Sequence, residues 1–238
     1  MSKSVLVTGA SGHVGGALVR ELVENGYHVR ASVRDPMDAA KTDALKKLQA
    51  EVVKADLFDP ASMDAACTGM DGVFQVAAIY DLAPSDAVQA RIMTETGTLG
   101  MANVLNAAKK AGVGRIVLTS SVVTIAPVAP GQPAASEDSW VSDTSVTYIE
   151  EKSSGEKHAW QLSGELGLDM VSVLPGAVTG PGFNRSTPSV DFIEAFAKGS
   201  LRMGAPDIGF PFVDVRDVAT AHRLAYEKGE IEIGRAHV

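Results

Sequence analysis

The chain has 238 residues, enough for one large domain or one domain with a small appendage, and 45% of them are hydrophobic, as in proteins with a buried core. Lys and Arg number 21 against 29 Asp and Glu, and the net charge of −8 argues against sequence-independent nucleic-acid binding. The single cysteine, Cys67, excludes an internal disulfide, and we expect it to be a small buried residue. Because no apolar run approaches the roughly 18 residues of a membrane span and the first one is too short for a signal peptide, we predict a cytoplasmic protein.

Short β-branched segments alternate with longer segments of helical periodicity as far as Pro175. Strands are predicted at residues 4–8, 27–33, 51–57, 72–78, 115–121 and 169–175. Helices are predicted between them, including one long helix over 87–111 and one that carries Tyr148. This alternation indicates βαβ units and a parallel sheet covered on both faces, which is a doubly wound α/β fold whose ligands bind at the carboxyl ends of the strands.

Beyond Pro175 the pattern changes. The segment PGAVTGPGF is dense in Gly and Pro and predicts a loop, and residues 189–198 predict a helix. A short strand and a helix capped by Asp214 follow. We therefore predict a dinucleotide-binding domain over 1–175, a partial substrate-binding segment over 176–212, and a helix over 213–228 that returns to the first domain.

Three glycines with the spacing G-x-x-G-x-x-G follow the first predicted strand and open the first predicted helix. Gly9, Gly12 and Gly15 would let backbone N–H groups approach the pyrophosphate of a dinucleotide at the helix N-terminus. The strand–loop–helix setting supports this interpretation, and a tight turn without a ligand is the alternative. His13 lies within the loop with no metal-ligand partner at suitable spacing, so we predict no metal site and expect solvent around its ring.

The ends of the second and third predicted strands carry side chains that suit the adenosine half of a dinucleotide. Arg34 stands where a guanidinium favours the 2′-phosphate of NADP over NAD, although NAD stays possible and a surface arginine beside Asp35 is the alternative. Asp56 can accept a hydrogen bond from the adenine amino group, and Leu57 can pack on the ring. A turn-capping role is the alternative for Asp56.

A series of segments carries a family resemblance. They are VTGASGHVG, SVRDP, ADLFDP, GVFQVAA, GTLGMANVLNAA, RIVLTSS, EDSW, YIEEKSSGEKHAW, LPGAVTGP and FVDVRDVATAH, and they run from about Val5 to Glu227. In this order they resemble the extended short-chain dehydrogenase/reductase family, which includes NAD-dependent epimerases and dehydratases, and within it the dihydroflavonol reductase and cinnamoyl-CoA reductase branch. The resemblance implies a Rossmann-type fold and the reduction of a carbonyl with NADPH.

The resemblance also implies a Ser–Tyr–Lys site made of Ser121, Tyr148 and Lys152, with Ser121 rather than Ser120 as the catalytic serine. Tyr148 would donate a proton to the alkoxide that hydride transfer leaves, and Ser121 would hydrogen-bond the carbonyl oxygen. Lys152, one helical turn from Tyr148, is expected to lower the pKa of the phenol from about 10 and to hold the nicotinamide ribose.

Further contacts with cofactor and substrate follow from the same resemblance. The residues expected at the cofactor are Gly9, Ser11, Gly12, His13, Val14, Gly15, Arg34, Asp56, Leu57, Val76, Ala77, Ala78, Thr119, Tyr148, Lys152, Pro175, Gly176 and Val178. Those expected at the substrate are Tyr80, Ser121 and Phe183. Other apolar candidates are Leu82, Trp140, Phe210 and Phe212, for which core packing is the alternative. Only a few cationic groups, such as Arg185 and Arg202, could hold a diphosphate, which favours a small, partly apolar carbonyl compound.

Three positions depart from the family pattern. Gln75 replaces a histidine, and Thr94 stands where relatives often have an asparagine, so we assign no catalytic asparagine. Glu151 replaces the usual serine before Lys152. Because consecutive helical residues point about 100° apart, a carboxylate at Glu151 need not neutralise the Tyr148–Lys152 pair.

The last seven residues, EIGRAHV, correspond to one reading frame of a widely used sequencing adapter. Our hypothesis is that the native sequence ends near Ile231, that residues 232–238 are a non-native tail, and that the substrate-binding portion is incomplete. The alternative is that IGRA is a degenerate form of a strand found in relatives.

Three functions remain open from the sequence. The first is an NADPH-dependent reductase of a small ketone or aldehyde, with a homodimer possible. The second is a nucleotide-sugar epimerase or dehydratase with tightly bound NAD, which would reuse Tyr148 and Lys152. The third is a non-catalytic NADP-binding regulator, and the presence of the Tyr–Lys pair argues against it.

Overall fold

A computed structural model describes residues 2–81, 84–129, 131–183, 185, 187–200, 202, 204, 209, 211–230 and 235–237. Seven parallel strands form one sheet in the order β3-β2-β1-β4-β5-β6-β9. The strands of this sheet are β1 (Ser4–Val7), β2 (His28–Val33), β3 (Glu51–Lys54), β4 (Gly72–Gln75), β5 (Arg115–Thr119), β6 (Met170–Leu174) and β9 (Arg235–His237). Successive strands are added on one side of β1 as far as β3, and the chain then crosses back to add β4, β5 and β6 on the other side. This change of side at β1 confirms the predicted doubly wound α/β fold.

Helices cover both faces of the sheet. The α-helices of the described residues are α1 (His13–Glu24), α2 (Ala39–Lys47), α3 (Pro60–Cys67), α4 (Ala87–Glu95), α5 (Met101–Ala111), α6 (Thr147–Leu166), α7 (Pro188–Ala197) and α8 (Val215–Lys228), of which α7 contacts β7 (Ala177–Thr179) outside the sheet. Alternate residues of β1 point to opposite faces, so Val5 and Val7 join one apolar core while Leu6 joins the other. Cys67 is fully buried in the second core, as predicted, and burial raises the pKa of its thiol to about 12.

The long helix predicted over 87–111 is interrupted. The π-helical segment Thr96–Gly100 separates α4 from α5, and local sequence gave no signal for it because the cause is tertiary. A Cβ on Gly155 of α6 would lie 3.1 Å from the Gly97 carbonyl oxygen, so the two backbones meet with no side chain between them. This close approach brings the N-terminal half of α6 against the carboxyl ends of the central strands.

A second, two-stranded sheet lies in the C-terminal part, where β7 (Ala177–Thr179) pairs in parallel with β8 (Phe212–Asp214). The prediction of a loop throughout PGAVTGPGF was therefore wrong for residues 177–179, because the flanking Gly and Pro hid a strand that depends on a distant partner. Asp214 caps α8 as predicted, since its carboxylate accepts from the Arg216 N–H at 2.9 Å. Helix α8 packs on α1.

The end of the chain carries two further observations. Strand β9 pairs with β6, with Ala236 opposite Val173. Residues 231–234 and 238, together with the side chains of 235–237, lie outside what the structure describes, as do Leu82 and Phe210. The interpretation of residues 232–238 as a non-native tail stays a prediction.

Candidate active site at the carboxyl ends of the strands

The glycine loop has the geometry that a dinucleotide pyrophosphate requires. Gly9 adopts φ +61°, and a Cβ there would lie 2.8 Å from Ala77 Cα. A Cβ on Gly15 would lie 2.2 Å from the Gly9 carbonyl oxygen, so only glycine fits. Gly12 precedes α1 without a side-chain cap, and the first turn carries no acidic residue. The backbone N–H groups at this helix end are thus available to an anion, and the loop fits the cofactor.

Hydrogen bonds from one threonine fix the ends of β1 and β4 beside this loop. The Thr8 hydroxyl accepts from the Val76 and Ala77 N–H groups, each at 3.0 Å, and donates to Gln75 Oε1 at 2.6 Å. Gln75 is buried and returns a bond from Nε2 to the Ala77 carbonyl at 3.0 Å. The departure at Gln75 therefore has a structural role, and it shapes the segment that includes exposed Ala78.

The adenosine-side candidates lie at neighbouring strand ends. Arg34 is exposed directly after β2 and makes no salt bridge within the described part of the chain. The Asp35 carboxylate is engaged by the Met37 N–H at 2.9 Å and not by the guanidinium. Asp56 Oδ1 accepts from the Phe58 N–H at 2.9 Å, which is the turn-capping alternative. The other carboxylate oxygen of Asp56 and the half-buried Leu57 side chain are placed where they can still contact an adenine.

The structure brings Ser121, Tyr148 and Lys152 together. Ser121 follows β5, and its side chain is hydrogen-bonded to that of Tyr148. Lys152 Nζ lies 5.9 Å from the centre of the Tyr148 ring, which is the neighbourhood expected from their spacing on α6. Tyr148 is 7% exposed. All three side chains are held in place by buried surroundings.

The expected direction of the Tyr148 pKa was wrong. Burial raises the pKa of the phenol above its usual value, against the lowering by the Ser121 hydrogen bond, and the charges of Tyr80 and Glu151 raise it further. The charge of a lysine one helical turn away does not offset the loss of water around the Tyr148 hydroxyl, and that loss dominates its pKa. The phenol is therefore held in its protonated form.

The Glu151 side chain turns toward Lys152 despite the angle between their positions on the helix. The carboxylate is 3% exposed, and its Oε2 lies 3.7 Å from Lys152 Nζ. Two long side chains can bend toward each other even when their Cβ atoms diverge, and the Glu151 carboxylate is buried between α6 and the π-helical segment. Burial raises its pKa, and the attraction of Lys152 opposes the rise.

A buried carboxylate that sequence reasoning missed organises the serine pair. Glu156 Oε2 accepts from Ser120 Oγ at 2.6 Å and from Thr124 Oγ1 at 2.9 Å, while Oε1 accepts from Ser172 Oγ at 2.9 Å. Ser120 is therefore bound to α6, whereas the next side chain, Ser121, turns toward Tyr148. The only sequence signal was an acidic residue on the buried face of α6.

The remaining cofactor-side candidates border the same groove. Thr119 Oγ1 is hydrogen-bonded to His222 Nε2 at 2.8 Å, and burial lowers the pKa of this histidine to about 4. The Pro175 carbonyl accepts from the Val122 N–H at 3.0 Å. A Cβ on Gly176 would lie 2.3 Å from the Pro211 carbonyl oxygen, and Val178 pairs with Val213 in the small sheet.

Two aromatic side chains proposed for the substrate lie near the predicted site. The Tyr80 ring is 5.3 Å from that of Tyr148, and its hydroxyl is hydrogen-bonded to Ser189 of α7 at 3.1 Å. Phe183 stacks on His13 at 5.3 Å, which half-buries the imidazole and corrects the expectation of a solvated ring. Burial lowers the pKa of His13.

Other substrate candidates have partners of their own. Lys157 Nζ lies 5.1 Å from the Trp140 ring centre, and Phe192 stacks on Phe212 at 6.2 Å. Arg185 donates to the Ser11 carbonyl at 3.0 Å and lies over Phe183. Arg202 is exposed. Among the described residues no cluster of side chains suited to a metal ion is found.

Comparisons with known proteins show which sequences and folds this chain is similar to. Residues 5–236 match the NAD dependent epimerase/dehydratase family. The chain is 36% identical over 242 residues to a cinnamoyl-CoA reductase of Medicago truncatula, a match that covers 94% of this chain and 72% of the relative. Within the described residues, no helix is long and apolar enough to cross a membrane.

Two solved structures share the architecture. The crystal structure of gox2253 has a TM-score of 0.83 and 33% identity, over 99% of this chain and 69% of the other. A Thermus thermophilus UDP-glucose 4-epimerase in complex with NAD has a TM-score of 0.78 and 26% identity, over 99% of this chain and 77% of the other. These structures thus extend beyond the part that this chain matches.

Proposed function

The chain belongs to the NAD-dependent epimerase/dehydratase family and is an NAD(P)-dependent oxidoreductase, and on that premise we propose that it reduces the carbonyl of a small, partly apolar ketone or aldehyde with NADPH. One observation carries the proposal. A buried, protonated Tyr148 is hydrogen-bonded to Ser121 and has the Lys152 ammonium near its ring. A proton donor in this setting suits an acceptor oxygen that becomes negative during the reaction.

Each member of the trio has a distinct role in the proposed reaction. Reduced nicotinamide supplies the hydride when it is bound. Tyr148 gives its hydroxyl proton to the alkoxide oxygen, and the raised pKa favours this direction because the phenol is fully protonated beforehand. Ser121 donates a hydrogen bond to the same oxygen as charge develops. Lys152 holds the ribose hydroxyls and neutralises the phenolate that remains.

The surroundings support a small, partly apolar substrate. Tyr80 is 41% exposed next to Tyr148, and Phe183 covers the glycine loop from the opposite side. Arg185, one of the few cationic groups available to a diphosphate, is bonded to the Ser11 carbonyl. A nucleotide-sugar epimerase is the second candidate, favoured by the likeness to the NAD-bound UDP-glucose 4-epimerase.

The test of the function is oxidation of NADPH and of NADH against a panel of aliphatic and aromatic aldehydes and ketones. We expect turnover with several panel members and a higher kcat/KM with NADPH. No turnover with any carbonyl, combined with NAD that co-purifies and interconversion of UDP-hexoses, would contradict the reductase and favour the epimerase. A protein that binds NADPH but turns over neither class would support the regulator.

The preference for NADPH is expected to depend on Arg34. This side chain is exposed and free of salt bridges among the described residues, so its guanidinium can pair with a 2′-phosphate. We expect Arg34→Ala to raise KM for NADPH by about 10- to 100-fold, in line with the roughly 1.5–3 kcal/mol of a hydrogen bond to a charged group. KM for NADH should stay unchanged.

The matched control for Arg34 is Arg20→Ala, because Arg20 is also exposed but lies on the outer face of α1. Steady-state kinetics with both cofactors are measured for the two variants. Equal losses with NADPH and NADH, or an equal effect in the Arg20 variant, would rule out a 2′-phosphate contact at Arg34.

A further inference from the structure

A buried carboxylate beside the proposed site has no part in the reaction described so far. Glu151 is 3% exposed, and Lys152 is 10% exposed. Glu151 Oε2 has no hydrogen-bond partner among the described residues, and its distance of 3.7 Å from Lys152 Nζ is longer than a direct hydrogen bond. Burying an ionisable oxygen without a hydrogen bond destabilises the folded protein, so a functional role would explain why Glu151 is present.

The carboxylate borders a small cavity that is lined by both polar and apolar groups. Its volume is about 30 Å³, enough for at least one water molecule, which needs roughly 10–15 Å³. Lys152 and the hydroxyl-bearing residues Thr96, Thr119 and Ser120 also line it. These oxygens keep lone pairs free for a guest, so water held there would have the two to four polar partners it requires. A gap of 3.7 Å is also wide enough for a bridging water.

The backbone around Glu151 leaves space for its side chain. A Cβ on Gly97 would lie 2.9 Å from Glu151 Oε1. Any larger residue at Gly97 would therefore require the end of the Glu151 side chain to move. The pairing of the buried Glu151 carboxylate with the Lys152 ammonium therefore belongs to the packing contact between α6 and the π-helical segment.

We infer that Glu151 relays protons from water in this cavity to Lys152, and through Lys152 to Tyr148. The inference rests on the proposed function, because only turnover removes a proton from Tyr148. When the Tyr148 O–H bond breaks, the phenolate takes a proton from the Lys152 ammonium. The neutral amine takes one from the Glu151 carboxyl. The carboxylate regains a proton through the cavity water, which takes up another from bulk solvent and is left as water. The net proton comes from solvent, and no electrons move in these steps.

The charges around Glu151 are compatible with such an exchange. The titratable neighbours of Glu151 on α6 are Lys152, Tyr148 and the exposed Glu150. Lys152 lowers the pKa of Glu151, and Glu150 raises it. On α4, Glu95 is paired with Arg91 at 3.6 Å. The π-helical segment carries no charged side chain, and His222 behind Thr119 is neutral above about pH 4. Burial outweighs Lys152, so the carboxyl loses its proton at a higher pH than an ordinary glutamate does.

The first test is spectroscopic and uses the wild-type protein without cofactor or substrate. Infrared spectra recorded over a pH series should show a carboxyl C=O band that titrates above the usual glutamate pKa of about 4.3. The band should be absent in Glu151→Gln and present in Glu150→Gln, whose target is the exposed neighbour on the same turn. A wild-type spectrum without this band would mean a permanently ionised pair and would overturn the relay.

The second test is kinetic. We expect Glu151→Gln to lower kcat by about 100-fold, the lower end of general acid–base contributions, to raise the solvent isotope effect on kcat, and to leave KM for NADPH unchanged. Glu150→Gln should behave as wild type. If the wild type is active and Glu151→Gln keeps the same kcat and solvent isotope effect, the relay is wrong while the proposed function stands. A wild type that oxidises no NADPH with any carbonyl overturns the proposed function and the relay with it.

Discussion

Replacing Tyr148 with phenylalanine is expected to lower kcat/KM for carbonyl reduction by about 10²- to 10⁴-fold, the range that a positioned general acid contributes. The change removes one oxygen from a side chain that is 7% exposed, and the ring keeps its contacts with Tyr80 and Lys152. The loss of kcat/KM in Tyr148→Phe therefore measures the missing proton donor and not a change in packing. Initial rates of NADPH oxidation with the best carbonyl of the panel measure it.

A matched control separates this effect from the general loss of a tyrosine hydroxyl. Tyr27 donates its hydroxyl to Glu227 at 2.9 Å on the far side of α8, away from Ser121. We expect Tyr27→Phe to keep full activity and both variants to bind NADPH, as followed by cofactor fluorescence. Equal rates in wild type and Tyr148→Phe would exclude Tyr148 as the acid. Loss of NADPH binding in Tyr148→Phe would assign it a binding role instead.

The same environment suits Tyr148 to the protonation step of the proposed reduction. A phenol whose pKa is raised by burial gives up its proton only to a strong base, and an alkoxide is one. The reverse reaction would need Tyr148 as a phenolate, so we expect it to require a higher pH than reduction does. The substrates and the cofactor, and not this side chain, set the equilibrium between the two directions.

The features that the sequence predicted well are local ones. The glycine loop depends on spacing within one turn, and the Tyr148–Lys152 pair depends on the i,i+4 geometry of a single helix. The same holds for the Asp214 cap and for the alternating strands and helices of the sheet. In each case the residues that determine the feature are close in the sequence, so the pattern alone was sufficient.

The features that the sequence missed depend on contacts between distant segments. The π-helical segment exists beside Gly155, which is far along the chain, and β7 exists because β8 pairs with it. The pKa of Tyr148 depends on how completely the surrounding elements exclude water, which no spacing encodes. No local pattern indicates that the side chains of Glu151 and Glu156 are buried. Their burial became visible only when α6 was placed against the strand ends.

Glu156 is expected to give the largest loss of stability of any side chain near the site. Its carboxylate accepts from Ser120, Thr124 and Ser172, which join α6 to the segments that follow β5 and to β6. Each buried donor left without an acceptor costs about 1–3 kcal/mol. We therefore expect Glu156→Ala to lower the free energy of unfolding by at least about 3 kcal/mol, as measured by urea denaturation.

Two further variants make the Glu156 prediction specific. Glu165→Ala removes an exposed carboxylate from the same helix and should change stability by less than about 0.5 kcal/mol. Glu156→Gln keeps one acceptor oxygen and should lose less stability than alanine does. Because Ser120 and Ser121 are adjacent, release of Ser120 also frees the backbone that aims Ser121 at Tyr148. Glu156→Gln should therefore lower kcat by more than its small loss in free energy of unfolding accounts for. A Glu156→Ala variant as stable as Glu165→Ala would show that the Glu156 carboxylate does not hold the site together.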